Sequence, residues 1–532
     1  MIVGSIGFGG KGKMKRNTIL ALIAICLAAA LMFAGCGSAD PESEDGAASV
    51  NDEEIIESVM DNFNLLAEVP RPSHHEKKIS NFLMKWAKEQ GFEVAQDGLY
   101  NLKIEVPATE GFEKRPLCIL QGHMDMVVAV EDGKDFNKKK DTVTVVYDEE
   151  ANTLTADGTS LGADDGAGLA IMMAIAQGKM EHGPLRLLIT VCEEDGMGGA
   201  FGMDPSWFDD AKYLINIDNE ASNEVLVSTA AGTAVYASGE LSYHKSSGDC
   251  ALNIVLKGLK GGHSGLEIDK GRLNGLIGLA GFLKTLRDNG IPFGLASFKG
   301  GTAGNAIPPK ASCTIVIFSK DLDKVRELGD AYYEKKKKEY AEIEDGMTFT
   351  IEEADTVPKV VSARKARSAV HFLTSIVDGV NSWSKDMDGL VESSSNLGIF
   401  TLDKEGVSAT VNIRSSSGAK QTKLEDRLRD LAKRCGYRTN VVKIADPWPY
   451  DPNSPLLALT EKIYKEQNGE EIDVVAAHAG HECGTFKKER PKLDMISVGP
   501  DISGAHTTEE TLNLDSVPKV WNLLEELLKH LK

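Results

Sequence analysis

The segment "PLCILQGHMD", residues 116–125, decides the fold. Residues 117–120 form an uninterrupted apolar run, which is typical of a strand buried on both faces of a parallel sheet. The run leads into His123 and Asp125, which face the same way if the segment stays extended. One such strand end is more often structural than functional, so the prediction of a functional site depends on whether similar ends recur along the chain.

Helical patterns and further core strands surround this segment on both sides. Apolar spacing predicts helices over 53–69, 76–91 and 165–179, core strands over 184–194 and 211–220, and hairpin-like strand pairs over 91–106 and 142–156. This alternation predicts an α/β domain whose mixed, largely parallel sheet is flanked by helices.

The order in which predicted strands and helices alternate changes near residue 232, and the α/β alternation of the first part resumes near residue 445. Strand patterns and long charged helices between these points predict an inserted α+β lid domain over 232–444. The two flanking parts, 52–231 and 445–532, would then form one domain, with its last strands rejoining the first sheet.

The first 36 residues predict an export signal. Basic residues precede the apolar run at 18–35, and Ala34 and Gly35 before Cys36 resemble the lipobox of bacterial lipoproteins. This resemblance implies a lipid on Cys36, a flexible tether over 37–51 and a protein anchored at the outer face of the cytoplasmic membrane. An uncleaved membrane anchor is the alternative, because the run is nearly long enough to span a bilayer.

Charge and cysteine usage exclude several classes of protein. The formal net charge is −21, and residues 1–35 contain four basic and no acidic residues, so their removal would make the chain more acidic. Such a charge argues against nucleic acid or anionic lipid as a partner of the folded body. The cysteines after Cys36 are single and lack C-x-x-C spacing, which argues against a disulfide framework.

Metal-competent side chains recur after successive predicted strands and before one helix. They are His123 and Asp125, Asp164 and Asp165, Glu193 and Glu194, Asp218, and His506. In an open α/β sheet the carboxyl ends of the strands face one crevice, so these groups are expected to meet. Crowded carboxylates repel one another unless a cation neutralises them, and imidazole with carboxylate suits zinc or manganese.

The order H-x-D, Asp, Glu-Glu, Asp, His resembles that of the co-catalytic di-zinc aminopeptidases and deacylases. Within that group the chain is most similar to the aminoacyl-histidine dipeptidases, also called Xaa-His dipeptidases or bacterial carnosinases. The similar stretches are "LGADDGAG" (161–168), "EEDGMGGAFG" (193–202), "LKGLKGGHSG" (256–265), "GGTAGNAIP" (300–308), "HAGHECGTFKK" (478–488) and "SVGPDISGAHTTEE" (497–510).

The resemblance implies a site for two zinc ions per subunit, with Mn²⁺ or Co²⁺ as possible substitutes. Asp164 would bridge the ions, His123 and Asp218 would complete one site, and Glu194 and His506 would complete the other. Glu193 would be the general base for the zinc-bound water. Asp125 would orient His123, and Asp165 would be a neighbour at the helix start.

The resemblance also implies roles for residues outside the metal site. His263 of the lid would stabilise the tetrahedral intermediate and would reach the partner subunit's site in a homodimer. Asn305 and Arg414 would bind the carbonyl or free carboxylate of the substrate. His478 and Glu482 would bind its amino end, while a metal role for His478 or His481 fits less well than one for His506.

These expectations predict a zinc-dependent dipeptidase that hydrolyses Xaa-His and related dipeptides. A tripeptide aminopeptidase or an N-acyl amino acid deacylase of the same group is the enzymatic alternative. A lipoprotein that only binds peptides is an alternative from another class, although a receptor has no use for the base predicted at Glu193.

Overall fold

The computed structural model describes residues 51–532. The predicted signal and the lipidation site at Cys36 lie outside these residues, as does the predicted tether except for its last residue. That residue, Asn51, caps the first helix, because its side chain accepts a hydrogen bond from the Glu54 amide at 2.9 Å.

The described chain contains eleven α-helices. They are α1 (Asp52–Ala67), α2 (Lys77–Glu89), α3 (Ala163–Ala174), α4 (Gly198–Gly202), α5 (Gly275–Asp288), α6 (Leu322–Glu339), α7 (Ala363–Ser375), α8 (Gly418–Cys435), α9 (Pro455–Asn468), α10 (Glu482–Glu489) and α11 (Val517–His530).

The strands are short in the flanking parts of the chain and longer in the middle. They are β1 (Glu93–Gln96), β2 (Leu102–Val106), β3 (Leu117–His123), β4 (Val145–Asp148), β5 (Thr153–Ala156), β6 (Leu185–Thr190), β7 (Ala211–Asn216), β8 (Glu224–Thr229), β9 (Ala231–Gly239), β10 (Tyr243–His244), β11 (Cys250–Lys257), β12 (Gly262–His263), β13 (Gly294–Gly300), β14 (Ala306–Ile307), β15 (Ala311–Ile317), β16 (Thr348–Glu353), β17 (Val360–Val361), β18 (Gly379–Trp383), β19 (Val391–Asp403), β20 (Gly406–Ser415), β21 (Arg438–Ala445), β22 (Asp473–Ala477), β23 (Asp494–Ser497), β24 (Ile502–Ser503) and β25 (Thr511–Asn513).

An eight-stranded sheet carries the strand ends predicted to hold the site. Its order is β1-β2-β6-β3-β7-β23-β8-β22, and its central strands β6, β3, β7 and β23 are parallel to one another. β3 is buried from Cys118 to His123, as expected for a strand covered on both faces. The apolar residues of α1, α2, α3 and α11 pack in one core with this sheet. The predicted mixed α/β class is therefore confirmed.

A second sheet occupies the middle of the chain and has an internal duplication. Its order is β16-β11-β15-β13-β19-β20-β9-β21, and β18 pairs with β19. The elements β11, α5, β13, β15, α6 and β16 form a βαββαβ unit, and β9, α7, β19, β20, α8 and β21 form another with the same strand order. The two units join edge to edge through the antiparallel pair β13–β19, where Phe298 lies opposite Leu402.

The chain passes between the two sheets at adjoining points. β8 ends at Thr229 and β9 begins at Ala231, while Trp448, after β21, returns to pair with Thr229. Residues 51–532 lie in one compact unit, and the predicted division into domains at 231 and 445 stays a prediction. Within residues 51–532 no helix has the length and apolar character needed to cross a membrane.

Candidate metal centre

Five side chains from distant parts of the chain meet at one end of the eight-stranded sheet. His123 is the last residue of β3, Asp218 follows β7, and Asp164 lies in the first turn of α3. Glu194 follows β6, and His506 lies between β24 and β25. They form two groups whose possible ligand atoms lie within 4.8 Å of one another: His123, Asp164 and Asp218, and Asp164, Glu194 and His506.

Asp164 belongs to both groups and uses a different oxygen for each. Its Oδ1 lies 3.0 Å from His123 Nε2, and its Oδ2 lies 3.1 Å from His506 Nε2. His123 Nε2 also lies 3.4 Å from Asp218 Oδ1, and His506 Nε2 lies 2.8 Å from Glu194 Oε2. This is the arrangement of a carboxylate that bridges two cation sites.

The carboxylates of the site favour the binding of protons or other cations at both groups, as the raised pKa values of three of their members show. Burial raises the pKa of Asp218 to about 6, while hydrogen bonds to Asp164 and Glu194 raise the pKa of His506 to about 10. Burial opposes protonation of His123, yet Asp218 and the neighbouring carboxylates still raise its pKa. A divalent ion in each group would supply the compensating charge, and oxygen with imidazole nitrogen is a donor set that zinc and manganese accept.

Asp125 supports both the histidine and the glutamate pair. His123 Nδ1 lies 3.2 Å from the backbone oxygen of Asp125 and 3.6 Å from its Oδ1, which leaves Nε2 directed at the carboxylates. The Asp125 carboxylate also accepts hydrogen bonds from the Glu193 amide at 3.0 Å and the Ser73 hydroxyl at 2.8 Å. A carboxylate with these contacts would orient the His123 ring, and this role of Asp125 stays a prediction.

Glu193 lies beside the two groups but belongs to neither. Burial raises the pKa of its carboxyl well above the usual value, and the charges of Asp218, Glu482 and Glu194 raise it further. A carboxyl whose environment favours the protonated form is suited to accept a proton during a reaction.

Three of the predicted substrate-binding residues lie together around Gly265, two of them from the lid and one from the segment that follows β22. A Cβ atom at Gly265 would lie 2.7 Å from the His478 backbone oxygen, 3.0 Å from His263 Cε1 and 3.3 Å from Arg414 Nε. Arg414 Nε is buried without a hydrogen-bond partner, and Arg414 forms no ion pair with any residue from 51 to 532. A covered guanidinium without a carboxylate partner is a candidate site for an anionic group of a ligand.

The lid cluster adjoins a crevice between the two sheets. A cavity of about 340 Å³ is lined by Leu226 of the first sheet, by Val391 of the second, and by Asn219, Gly265 and His478 from the connecting segments. Asn219, which lines this cavity, directly follows Asp218 in the chain.

The remaining predicted residues lie in different environments. Asn305 is exposed, and its backbone oxygen accepts a hydrogen bond from the Ser264 amide at 2.8 Å. Glu482 is 0% exposed and accepts hydrogen bonds from Gln121 at 2.6 Å and Thr190 at 2.7 Å. The prediction that Glu482 binds the peptide amino end has no support from this geometry, because its carboxylate is covered by the sheet.

His478 and His481 belong to neither metal group. His478 Nε2 lies 2.7 Å from the Ser394 hydroxyl, and burial lowers the pKa of His478 to about 4. His481 Nδ1 accepts a hydrogen bond from the Cys483 amide at 3.2 Å, so its proton is on Nε2, 3.7 Å from Asp218 Oδ2. That distance is too long for a hydrogen bond, and His481 Nε2 is buried without a hydrogen-bond partner among the described residues.

Three buried charged residues lie around the metal groups, and sequence reasoning named Asp165 as a neighbour at the helix start but missed Arg71 and Glu510. Asp165 accepts a hydrogen bond from the His123 amide at 3.0 Å. Arg71 and Glu510 bond the backbone next to Asp164. The only sequence feature that could have indicated a role for Glu510 is its position four residues after His506, in "HTTEE" (506–510). Arg71 lies in no metal-binding sequence pattern.

Residues 119–530 match the sequence pattern of "Peptidase family M20/M25/M40". The chain belongs to this family. It is therefore a peptide hydrolase, and the family is metal-dependent. The predicted resemblance is confirmed, and the alternative of a lipoprotein that only binds peptides is not supported.

Two relatives match nearly the whole described chain. The "Cytosol non-specific dipeptidase" of Escherichia coli K12 is 35% identical over 475 residues, which cover 89% of this chain and 97% of the relative. The crystal structure of an aminoacylhistidine dipeptidase from Vibrio alginolyticus has a TM-score of 0.84 and 32% identity, and covers 89% of this chain and 96% of that one.

A more distant structure shares the fold alone. A tripeptidase from Staphylococcus aureus has a TM-score of 0.51 and 15% identity, over 91% of this chain and 99% of that one.

The predicted location at the outer face of the cytoplasmic membrane is wrong. The Escherichia coli relative, which matches along almost its whole length, is named as a cytosolic enzyme. The prediction depended on the composition of residues 1–36 alone, and an apolar run followed by a cysteine says nothing about the folded body that carries the chemistry. A lipid anchor as a membrane contact is likewise unsupported.

Proposed function

We propose that this peptidase is a di-zinc dipeptidase that hydrolyses Xaa-His and related dipeptides. The observation that carries the proposal is the shared position of Asp164, whose two oxygens serve two groups of ligand atoms. The names of the two close relatives support a dipeptide substrate, and the Vibrio relative supports a preference for histidine.

The proposed ligands are His123 and Asp218 on one side, Glu194 and His506 on the other, and Asp164 between them. Divalent ions held there would act as Lewis acids that polarise the scissile carbonyl and acidify a water molecule. Glu193 accepts the proton of that water at its carboxylate and then delivers it to the leaving amine. Asp125 keeps His123 oriented and fixes the backbone of Glu193 through the amide bond at 3.0 Å.

The lid would bind the other end of the substrate. Arg414 is the proposed partner of the free carboxylate, since its Nε is buried without a partner beside His263. His263 is the proposed donor to the tetrahedral intermediate, and Asn305 adjoins its loop. His263 and Arg414 meet within one chain; a homodimer stays a prediction.

Metal removal tests the proposal directly. Protein treated with a chelator is expected to lose dipeptidase activity, and added Zn²⁺ or Mn²⁺ is expected to restore it. The reason is that the residues of the two groups contribute to the reaction only by holding the divalent ions. The measurement is hydrolysis of a dipeptide panel, with metal content determined on the same samples. Full activity in chain shown to be free of metal would contradict the proposal.

The same panel decides the substrate class. Carnosine and other Xaa-His dipeptides are expected to be cleaved faster than tripeptides and N-acetylated amino acids. A preference for tripeptides would favour the alternative of a tripeptide aminopeptidase. The Staphylococcus tripeptidase has the same fold as this chain.

A substitution at Arg414 tests carboxylate binding. Arg414→Met is expected to raise KM for a dipeptide by about 10- to 100-fold, because a charge-assisted hydrogen bond to the substrate is lost. The variant should keep its metal content and should no longer distinguish a dipeptide from its C-terminal amide. Arg438→Met, at an exposed position of the same sheet, is the control. An unchanged preference for the free carboxylate in Arg414→Met would exclude this role.

A further inference from the structure

Arg71 is a buried cation that bonds two separate ligand-bearing loops. Its side chain is covered, with 3% of its surface exposed. Nη1 donates to the backbone oxygens of Met124 at 3.2 Å and Asp125 at 3.1 Å, and Nη2 donates to the backbone oxygen of Gly162. One guanidinium therefore joins the segment that follows His123 to the segment that precedes Asp164.

Glu510 bonds the second of these loops from the other side. Its side chain is 2% exposed, and its Oε2 accepts a hydrogen bond from the Gly162 amide at 2.9 Å. Its Oε1 accepts from the amides of Ala163 at 2.7 Å and Asp164 at 3.2 Å. Three consecutive N–H groups at the start of α3 thus point at one carboxylate, which also suits the positive end of a helix.

Glycines make room for the guanidinium. A Cβ atom at Gly162 would lie 2.7 Å from Arg71 Nη2, and one at Gly166 would lie 2.5 Å from the same nitrogen. Gly162 also has a φ of +74°, a backbone conformation that disfavours other residues. The fit of Arg71 therefore depends on the sequence around Asp164 and is more than the packing of a long side chain.

The cationic side chain of Arg71 and the anionic side chain of Glu510 both bind the backbone of Gly162. Arg71 binds the carbonyl of Gly162 and Glu510 binds its N–H, so the residue two positions before Asp164 is held on both of its polar groups. The two charged groups compensate each other inside the protein, where an isolated charge would be costly. Neither Arg71 nor Glu510 belongs to one of the two metal groups, so neither is a proposed metal ligand.

We propose that Arg71 and Glu510 form a clamp that positions Asp164 for metal binding. Both are positioning residues that touch neither metal nor substrate. Glu510 acts through the amides of residues 162–164, and Arg71 acts through the backbone oxygen of Gly162 and those of residues 124 and 125. The inference rests on the proposed function, since it takes Asp164 to be the shared ligand. Because Asp164 serves both groups, loosening the clamp weakens both cation sites together and not one of them.

Two substitutions test the clamp from its two ends. Glu510→Gln keeps the shape but replaces one acceptor oxygen by an NH₂ group that faces backbone N–H donors. Arg71→Lys keeps the charge but cannot serve three carbonyl groups in one plane. Each variant is expected to bind Zn²⁺ at both sites about 10- to 100-fold more weakly, the usual effect of losing a residue that orients metal ligands.

The measurements separate positioning from catalysis and from general damage. Zn²⁺ binding to the metal-free chain is followed by titration calorimetry, and kcat and KM are measured at limiting and at saturating Zn²⁺. We expect excess Zn²⁺ to restore most of kcat with KM unchanged, a rescue that loss of a catalytic group would not show. Glu509→Gln, an exposed neighbour, and Arg186→Lys, away from the site, are the matched controls and should bind Zn²⁺ as the unmodified chain does.

Each outcome decides for or against the clamp. Folded Glu510→Gln and Arg71→Lys chains with unchanged Zn²⁺ affinity would overturn it, as would weakening of one site only. If neither variant folds, judged by circular dichroism, the two residues are determinants of folding and the clamp as stated is wrong. If the unmodified chain binds no Zn²⁺, the proposed function itself fails, which is a different result.

Discussion

Glu193→Gln is expected to bind metal normally and to lower kcat by on the order of 10³- to 10⁴-fold, the upper part of the range for loss of a general base. Glutamine keeps the size of the side chain and the backbone bond from the 193 amide to Asp125. It removes the carboxylate that accepts the proton of the attacking water. Metal content and single-turnover hydrolysis of a dipeptide check this result.

The neighbours of Glu193 provide the controls for that experiment. Glu194→Gln is expected to lose the ion of the group that contains His506, and activity with it, because Glu194 lies 2.8 Å from His506 in that group. Asp195→Asn, at an exposed position next in the chain, should change neither. Hydrolysis near the normal rate by Glu193→Gln would require another base and would contradict the assignment.

The strand-end residues of the site were predictable from local patterns. His123 and Asp218 follow continuous apolar runs, and such runs predict buried strands whose carboxyl ends share one edge of the sheet. The structure places both at that edge and within one group of ligand atoms. Asp164, before a predicted helix, and His506, after a predicted strand, were candidates from the same pattern. The assignment of all five ligands to two ions came from the resemblance to a family.

The clamp and the duplicated lid were not predictable from local patterns. Arg71 and Glu510 bond backbone groups that only the folded chain brings near them, so no spacing in the sequence marks them. In the lid, β9 pairs with β20 and β21, although a complete βαββαβ unit separates it from them in the sequence. Periodicity predicts single elements, but pairing between distant elements depends on which surfaces are buried together.

Asp164→Asn is expected to abolish binding at both metal sites, the largest loss of any single substitution at the site. An asparagine offers one oxygen without charge, whereas Asp164 presents Oδ1 to the His123 group and Oδ2 to the His506 group. Removing its charge should leave fewer than one ion per chain and hydrolysis below detection, since charge count governs affinity in such sites. Metal analysis after dialysis, together with activity at high Zn²⁺, measures both effects.

Substitutions at the outer ligands show whether Asp164 is truly shared. Asp218→Asn should weaken only the group that contains His123, and Glu194→Gln should weaken only the group that contains His506, so each should retain about one ion per chain. If Asp164→Asn also retained one ion, the carboxylate would serve a single site. Two independent metal sites would then replace the bridged pair, and Glu193 would lie beside a water activated by one ion alone.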